Sequence, residues 1–290
     1  MKTGFTLIEL LIVIAIIALL ISLLLPALNN ARSQAEKLQC LSNMHRLGVS
    51  MQLYLDSNNG VFPPDRIRKP SPISKSWKSI VIGPYKRYYP RWIWFLNEGM
   101  GYVINPYKYS SEEDFNAALD MDNDYFICPS LKDLKYVRNI RNGAYGINYQ
   151  YLSNTRDDDK DGRCNNFPNN INSIEVPSQT ICFGDSRGSN IPHGQHAYCM
   201  DPPKMAVSKG AKYFAPKNPQ LGPLKYSPAD ARHLERACIV FLDGHSSALT
   251  YSELGYAIDS ETNRPIEKAL TEIGGAGDNR LWSGSGEDED

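Results

Sequence analysis

An almost unbroken apolar run from Leu7 to Leu25, interrupted only by Glu9 and Ser22, constrains this chain more than anything that follows it. Its length is close to the ~20 residues that cross a bilayer as a helix. A short basic leader, Met1-Lys2-Thr3-Gly4, precedes it and Pro26 follows it. Glu9 is the anomaly. An acidic residue at the bilayer centre costs roughly 2.5–3.5 kcal/mol. Near one end of the run the cost is smaller, but an intramembrane ionisable group still calls for a partner and a function. Two bland alternatives stand beside this: a single-pass anchor with a stray glutamate, or a secretory signal. A secretory signal has a shorter apolar core and a small-residue cleavage site, which Ala27 to Ala31 can imitate.

Lys2-Thr3-Gly4-Phe5-Thr6-Leu7-Ile8-Glu9 resembles the prepilin leader of type IV pilins and type II secretion pseudopilins. The resemblance implies cleavage after Gly4 by a prepilin peptidase on the cytoplasmic side, and N-methylation of the new Phe5 amine. Glu9 would then lie about one helical turn from a cation. Pairing with the Phe5 amine of a neighbouring subunit would neutralise two charges that are costly in hydrocarbon. In this reading Glu9 sets register during assembly.

The helix is expected to continue past Pro26, with a kink where the proline removes a backbone donor. Leu28, Ala31, Ala35, Leu38, Leu41, Met44, Leu47 and Met51 recur at intervals of three and four, which predicts one apolar stripe. Asp56 to Gly60 stops the helix, and Pro63-Pro64 prevents its return. At 290 residues and 42% apolar, the rest can bury one sizeable core. A net charge of −1 gives no general attraction to nucleic acid. Nineteen prolines, 21 glycines and 17 tyrosines suggest a loop-rich exported domain, where the six cysteines are free to pair.

A narrower resemblance begins at Cys40-Leu41-Ser42-Asn43-Met44 and runs through Cys128-Pro129-Ser130 and Tyr145-Gly146-Ile147-Asn148-Tyr149. It ends in His233, nine residues, then Asp243-Gly244. This is similar to a large group of pilin-like proteins of planctomycetes and their relatives, whose signature is His-x9-Asp-Gly. Cys128 is a candidate to pair with Cys40, tying the long helix to the domain. Two buried thiols are the alternative.

Several segments carry possible ligand chemistry. Between Asp65 and Glu98 there are eight cations and no acid, interleaved with Trp77, Tyr85, Tyr88, Tyr89, Trp92, Trp94 and Phe95. Such a surface can stack on polysaccharide or contact an anionic polymer. The simpler reading makes Trp92, Ile93, Phe95 and Leu96 core and the cations solvated loop. Asp157, Asp159, Asp161 and Gly162 match the start of a calcium loop, but Pro168 replaces the closing glutamate. A solvated acidic turn is the alternative to Ca2+. His193-x-x-His196-x-x-Cys199 has metal-like spacing and lacks a further ligand, for which Asp185 or Asp201 is available.

Smaller expectations complete the scan. Ser110 and Glu113 have capping-box spacing at the head of a short helix reaching Leu119, and Tyr125 to Cys128 reads as a strand. Ser178 to Phe183 reads as another. Residues 236–242 and 245–251 form a hairpin around Asp243-Gly244, with His233 and Asp243 placed to hydrogen-bond across it.

The expected architecture is α+β and pilin-like, with a long N-terminal helix packed on a small antiparallel sheet. Residues 1–4 are the leader, 5–28 the transmembrane or filament-core helix, 29–58 its amphipathic second half, 59–273 an exported domain and 274–290 a flexible acidic tail. The expected function is a structural subunit of a type IV pilus or type II secretion pseudopilus. Its partners are the prepilin peptidase, other subunits and an inner-membrane assembly platform. It is placed in the inner membrane with the domain in the periplasm, then at the cell surface. No enzyme activity is expected. A membrane-tethered polysaccharide-binding protein is the main alternative, and a metal-dependent hydrolase using His193, His196 and His233 the weaker one.

Overall fold

The computed structural model describes residues 6–65, 79–88, 90–97, 100–131, 138–140, 143–153, 169–187, 198–204, 227–266 and 276–288. Its first element, α1, is a helix of 51 residues, Leu7–Ser57, about 77 Å long at 1.5 Å per residue. A capping box opens it. The Glu9 N–H donates to the Thr6 hydroxyl at 3.3 Å, and the Glu9 carboxylate accepts from the Thr6 N–H and hydroxyl, both at 2.8 Å. The helix passes through Pro26 without a break in its assignment. It ends where the Gly60 N–H returns to the Leu55 carbonyl at 2.8 Å, with Asn59 and Gly60 both at positive φ.

The packed stripe differs from the one the sequence suggests. Leu28, Ala31, Ala35 and Leu38 are exposed, Leu38 by 64%. Burial begins at Cys40 and follows Met44, Leu47, Met51, Tyr54 and Leu55. The intervals of three and four are right, but the domain meets the helix only over its last third.

The principal sheet has five strands: β3 (Tyr145–Asn148), β4 (Ile181–Asp185), β5 (Cys199–Met200), β6 (Ala237–Phe241) and β7 (Ser246–Leu249). Their spatial order is β5-β3-β4-β6-β7, antiparallel except for the β3–β5 pair. Every residue of β3, β4 and β6 is buried, including Asn148 and Asp185 at the ends of β3 and β4, so these strands are covered on both faces and do not alternate. Helix α1 lies on β6 and β7. Gly48 permits the close approach, because a Cβ there would sit 3.0 Å from Val240 Cγ1. The β6–β7 turn is docked on the same helix: His45 Nδ1 lies 3.2 Å from the Gly244 carbonyl, and the Gln52 amide donates to the Leu242 carbonyl. The architecture is therefore α+β and pilin-like, a long apolar N-terminal helix on a small, mostly antiparallel sheet.

A second hairpin, β1 (Ser79–Ile82) with β2 (Tyr85–Tyr88), packs on the short helix α2 (Glu112–Ala117). The cap of α2 is Ser111 bonding Asp114, one residue later than the Ser110–Glu113 pair read from the sequence. Tyr125 to Cys128 is not a strand. Asn123 caps a 3-10 turn over Asp124–Phe126, and a second turn follows at Pro129–Leu131. Beyond a small hairpin of β8 (Ile258–Asp259) and β9 (Arg264–Pro265), the chain closes with α3 (Arg280–Ser283).

The flexible-tail reading of 274–290 needs correction over its described part, 276–288. Trp282 is 0% exposed, and its indole N–H donates to the Leu254 carbonyl at 3.0 Å. The Asn279 amide bonds Tyr151 and Lys204, and Asp288 pairs with Lys204 at 2.9 Å. One buried indole outweighs the polar composition around it.

Candidate functional site

Two features stand out. The first is the exposed half of α1. From Leu7 to Leu28 its large apolar side chains all face outward, and the helix is long and apolar enough to cross a membrane. Glu9 is the one acid in that segment. Both of its capping contacts use Oε2, which leaves Oε1 with no donor among the described residues. Gly4 and Phe5, the expected processing positions, lie outside the described residues.

The second is a buried cluster where α1 meets the sheet. Cys40 comes from α1, Cys128 from the turn before Pro129, Asp185 from the end of β4 and His233 from the loop before β6. All four are buried, and one ligand atom from each lies within 4.8 Å of the others. Cys128 Sγ is 3.3 Å from His233 Nε2, which is 3.4 Å from Asp185 Oδ2. Cys40 Sγ is 3.7 Å from Asp185 Oδ1 and 3.6 Å from the Tyr145 hydroxyl.

An outer ring orients these groups. The Cys238 N–H donates to Asp185 Oδ2 at 2.8 Å. Arg232 Nε stands 3.8 Å from Asp185 Oδ1 and 3.2 Å from Asp230 Oδ2. Ser130 Oγ donates to Glu36 Oε2 at 3.2 Å and faces His233 Nδ1 at 3.2 Å. Burial pushes the Cys40 and Cys128 thiols well above the usual range. It also raises the Asp185 carboxyl, against the pull of Arg232 and His233. Burial opposes a charged His233, but the Cys128 contact and Asp185 outweigh it and raise its pKa.

This arrangement bears on two expectations. Cys40 and Cys128 do come together, here as two buried thiols, the alternative to the cross-link. Each sulfur has another polar neighbour, Asp185 for Cys40 and His233 for Cys128. His233 and Asp243 do not bond each other. Asp243 instead closes the β6–β7 turn, accepting from the His245 N–H at 3.1 Å and meeting its ring Nδ1 at 2.6 Å.

Asp157, Asp159, Asp161, His193 and His196 lie outside the described residues. Asp201 accepts from the Ser227 N–H and the Gln150 amide, and Cys199 faces Asp65 at 3.7 Å. In the basic and aromatic stretch, three cations are among the described residues: Lys86 is exposed on β2, while Arg87 and Arg91 serve the fold. Arg91 donates to the Ile140 carbonyl at 3.0 Å and stacks 4.0 Å over Tyr198. Trp92, Ile93, Trp94 and Leu96 are core.

Comparison with known proteins adds one positive finding. The model of the prokaryotic N-terminal methylation motif matches residues 1–25. No curated protein and no solved structure matches the chain. The match covers the leader and the first turns of the exposed helix, and it fits a pilin- or pseudopilin-type precursor. It points to processing by a prepilin peptidase and to a structural rather than catalytic subunit.

Proposed function

We propose that this chain is a structural subunit of a type IV pilus or a type II secretion pseudopilus. It enters the inner membrane as a single-pass precursor with its domain on the periplasmic side. It is cleaved after Gly4, N-methylated on Phe5, and drawn into a filament through α1 by an inner-membrane assembly platform. The observation that carries this is a methylation motif continuous with an apolar helix whose large apolar side chains, from Leu7 to Leu28, stay exposed among the described residues. Lipid covers that surface before assembly, and the helices of other subunits cover it afterwards.

Glu9 supplies register. Within one subunit it caps the helix through Oε2, while Oε1 stays available to the methylated amine of a neighbour. A domain of this size and loop content suits a minor or pseudopilin-type subunit. The His-x9-Asp-Gly resemblance gains a physical reading: His233 enters the buried cluster, while Asp243-Gly244 shapes the turn on which α1 docks.

The test is Glu9→Gln in the native organism, with membrane and sheared surface fractions compared by immunoblot. The variant should be processed and retained in the membrane but missing from filaments. Normal incorporation of Glu9→Gln would remove the register role.

A further inference from the structure

We propose that Cys40, Cys128, Asp185 and His233 bind one Zn2+ in tetrahedral geometry, fastening the long helix to the sheet. The proposal is independent of the pilus reading. The four residues are 0, 0, 0 and 2% exposed, and one donor atom from each lies within 4.8 Å of the rest. Zinc sits ~2.3 Å from sulfur and ~2.0–2.2 Å from imidazole nitrogen or carboxylate oxygen. At tetrahedral angles those bonds separate neighbouring ligand atoms by about 3.4–3.8 Å. The observed separations are 3.3 Å from Cys128 sulfur to His233 nitrogen, 3.4 Å from that nitrogen to Asp185 Oδ2 and 4.0 Å from Cys40 sulfur to the same oxygen. Adjustments of a few tenths of an ångström bring these three edges to that geometry, and the remaining ligand pairs, within 4.8 Å, close onto the ion with them.

The surrounding hydrogen bonds prepare the ligands. Ser130 gives its one hydroxyl proton to Glu36, so it accepts from His233 Nδ1–H. That fixes the tautomer with the Nε2 lone pair aimed at the cluster, as in sites where a second-shell acceptor orients a metal-bound imidazole. The Cys238 N–H holds Asp185 in the same way. Two thiolates and a carboxylate exceed Zn2+ by one negative charge, and Arg232, shared between Asp185 and the half-buried Asp230, is the cation beside them. Two sulfur donors and an imidazole suit a borderline-soft cation and disfavour Ca2+ or Mg2+.

The competing fate is a Cys40–Cys128 disulfide, which requires the sulfurs to close to ~2.05 Å. The full-length protein is purified in detergent under reducing conditions, stripped with chelator and titrated with Zn2+ and Co2+. The expected result is uptake of one ion per chain, with tetrahedral ligand-field bands and thiolate-to-cobalt charge transfer in the Co2+ form. The apparent Tm should rise on loading. Cys128→Ser and His233→Gln should lose uptake, and Cys182→Ser, a buried thiol outside the cluster, should keep it. Unaltered wild-type protein serves as the primary readout, so a variant that fails to fold leaves the test intact. Two results would overturn the proposal: no uptake by the reduced wild-type chain, or a Cys40–Cys128 linked peptide in protein alkylated directly from cells.

Discussion

Replacing Arg87 by methionine removes a cation that the fold uses internally. Arg87 is 7% exposed. Its Nη1 donates to the carbonyls of Phe115, Asn116 and Ala118 at 2.8, 3.1 and 3.2 Å. These belong to the last turn and C-cap of α2, where helix amides run out; of the three, the Phe115 carbonyl also accepts from the Ala118 N–H at 3.3 Å. The guanidinium also lies 4.4 Å from the centre of the Trp94 ring. Methionine fills similar volume but donates nothing. A buried carbonyl left without a donor costs ~1–3 kcal/mol, and a desolvated cation–π contact contributes ~2 kcal/mol. One nitrogen serves all three carbonyls, so their costs do not simply add. Relief from burying the cation offsets part of the loss. A net destabilisation of about 2–4 kcal/mol follows.

At ~2–4 °C per kcal/mol for a domain of this size, the apparent Tm should fall by roughly 4–16 °C. Tryptophan fluorescence during a thermal ramp of the detergent-purified full chain reads it. Arg87→Lys keeps the charge but not the planar fork, and should fall between the two. A shift below ~2 °C for Arg87→Met would refute this reasoning and return Arg87 to the pool of cations available for an outside ligand.

Two further outcomes follow from the same contacts. Trp282→Ala should destabilise by ~3–5 kcal/mol, the usual cost of emptying a buried aromatic site; a thermal ramp that superimposes on the parent would restore the free-tail reading. Asp259 accepts from the Thr262 and Glu261 N–H groups at 2.9 Å each, which lowers its carboxyl below the ordinary 3.8. The carboxylate therefore favours the fold at higher pH, and that contribution fades as pH falls below 3.8 through the folded-state value. Asp259→Asn should flatten the acid limb of the stability profile, as measured by denaturant unfolding between neutral pH and pH ~3.

The helix, its stop at Asn58–Gly60 and the β6–β7 hairpin were legible because each is written locally. They rest on an apolar run, a left-handed turn and an Asp-Gly between two β-rich segments. The cluster was not. Its four ligands come from positions 40, 128, 185 and 233, which share no spacing and meet only when α1 docks on the sheet. All four were singled out, but with other partners: Cys40 and Cys128 for a disulfide, Asp185 beside His193 and His196, and His233 for a bond to Asp243 or a hydrolase site with His193 and His196. Arg232 and Ser130 carried no signal of their own. Their roles follow from Asp185 and Glu36, which the fold alone brings near. The C-terminal segment misled for a related reason: glycine, serine and acid dominate its composition, while Trp282, with the buried Asn279 and the Asp288–Lys204 pair, decides its packing.

The central claim is that residues 1–25 are a processed assembly signal and not a lasting membrane anchor or an excised secretory peptide. Intact-mass and N-terminal peptide analysis of the protein from its native membrane tests this most directly. The account predicts a chain that begins at Phe5 with a methyl group on its amine. A chain that retains Met1, or one cut near Ala31, would contradict it.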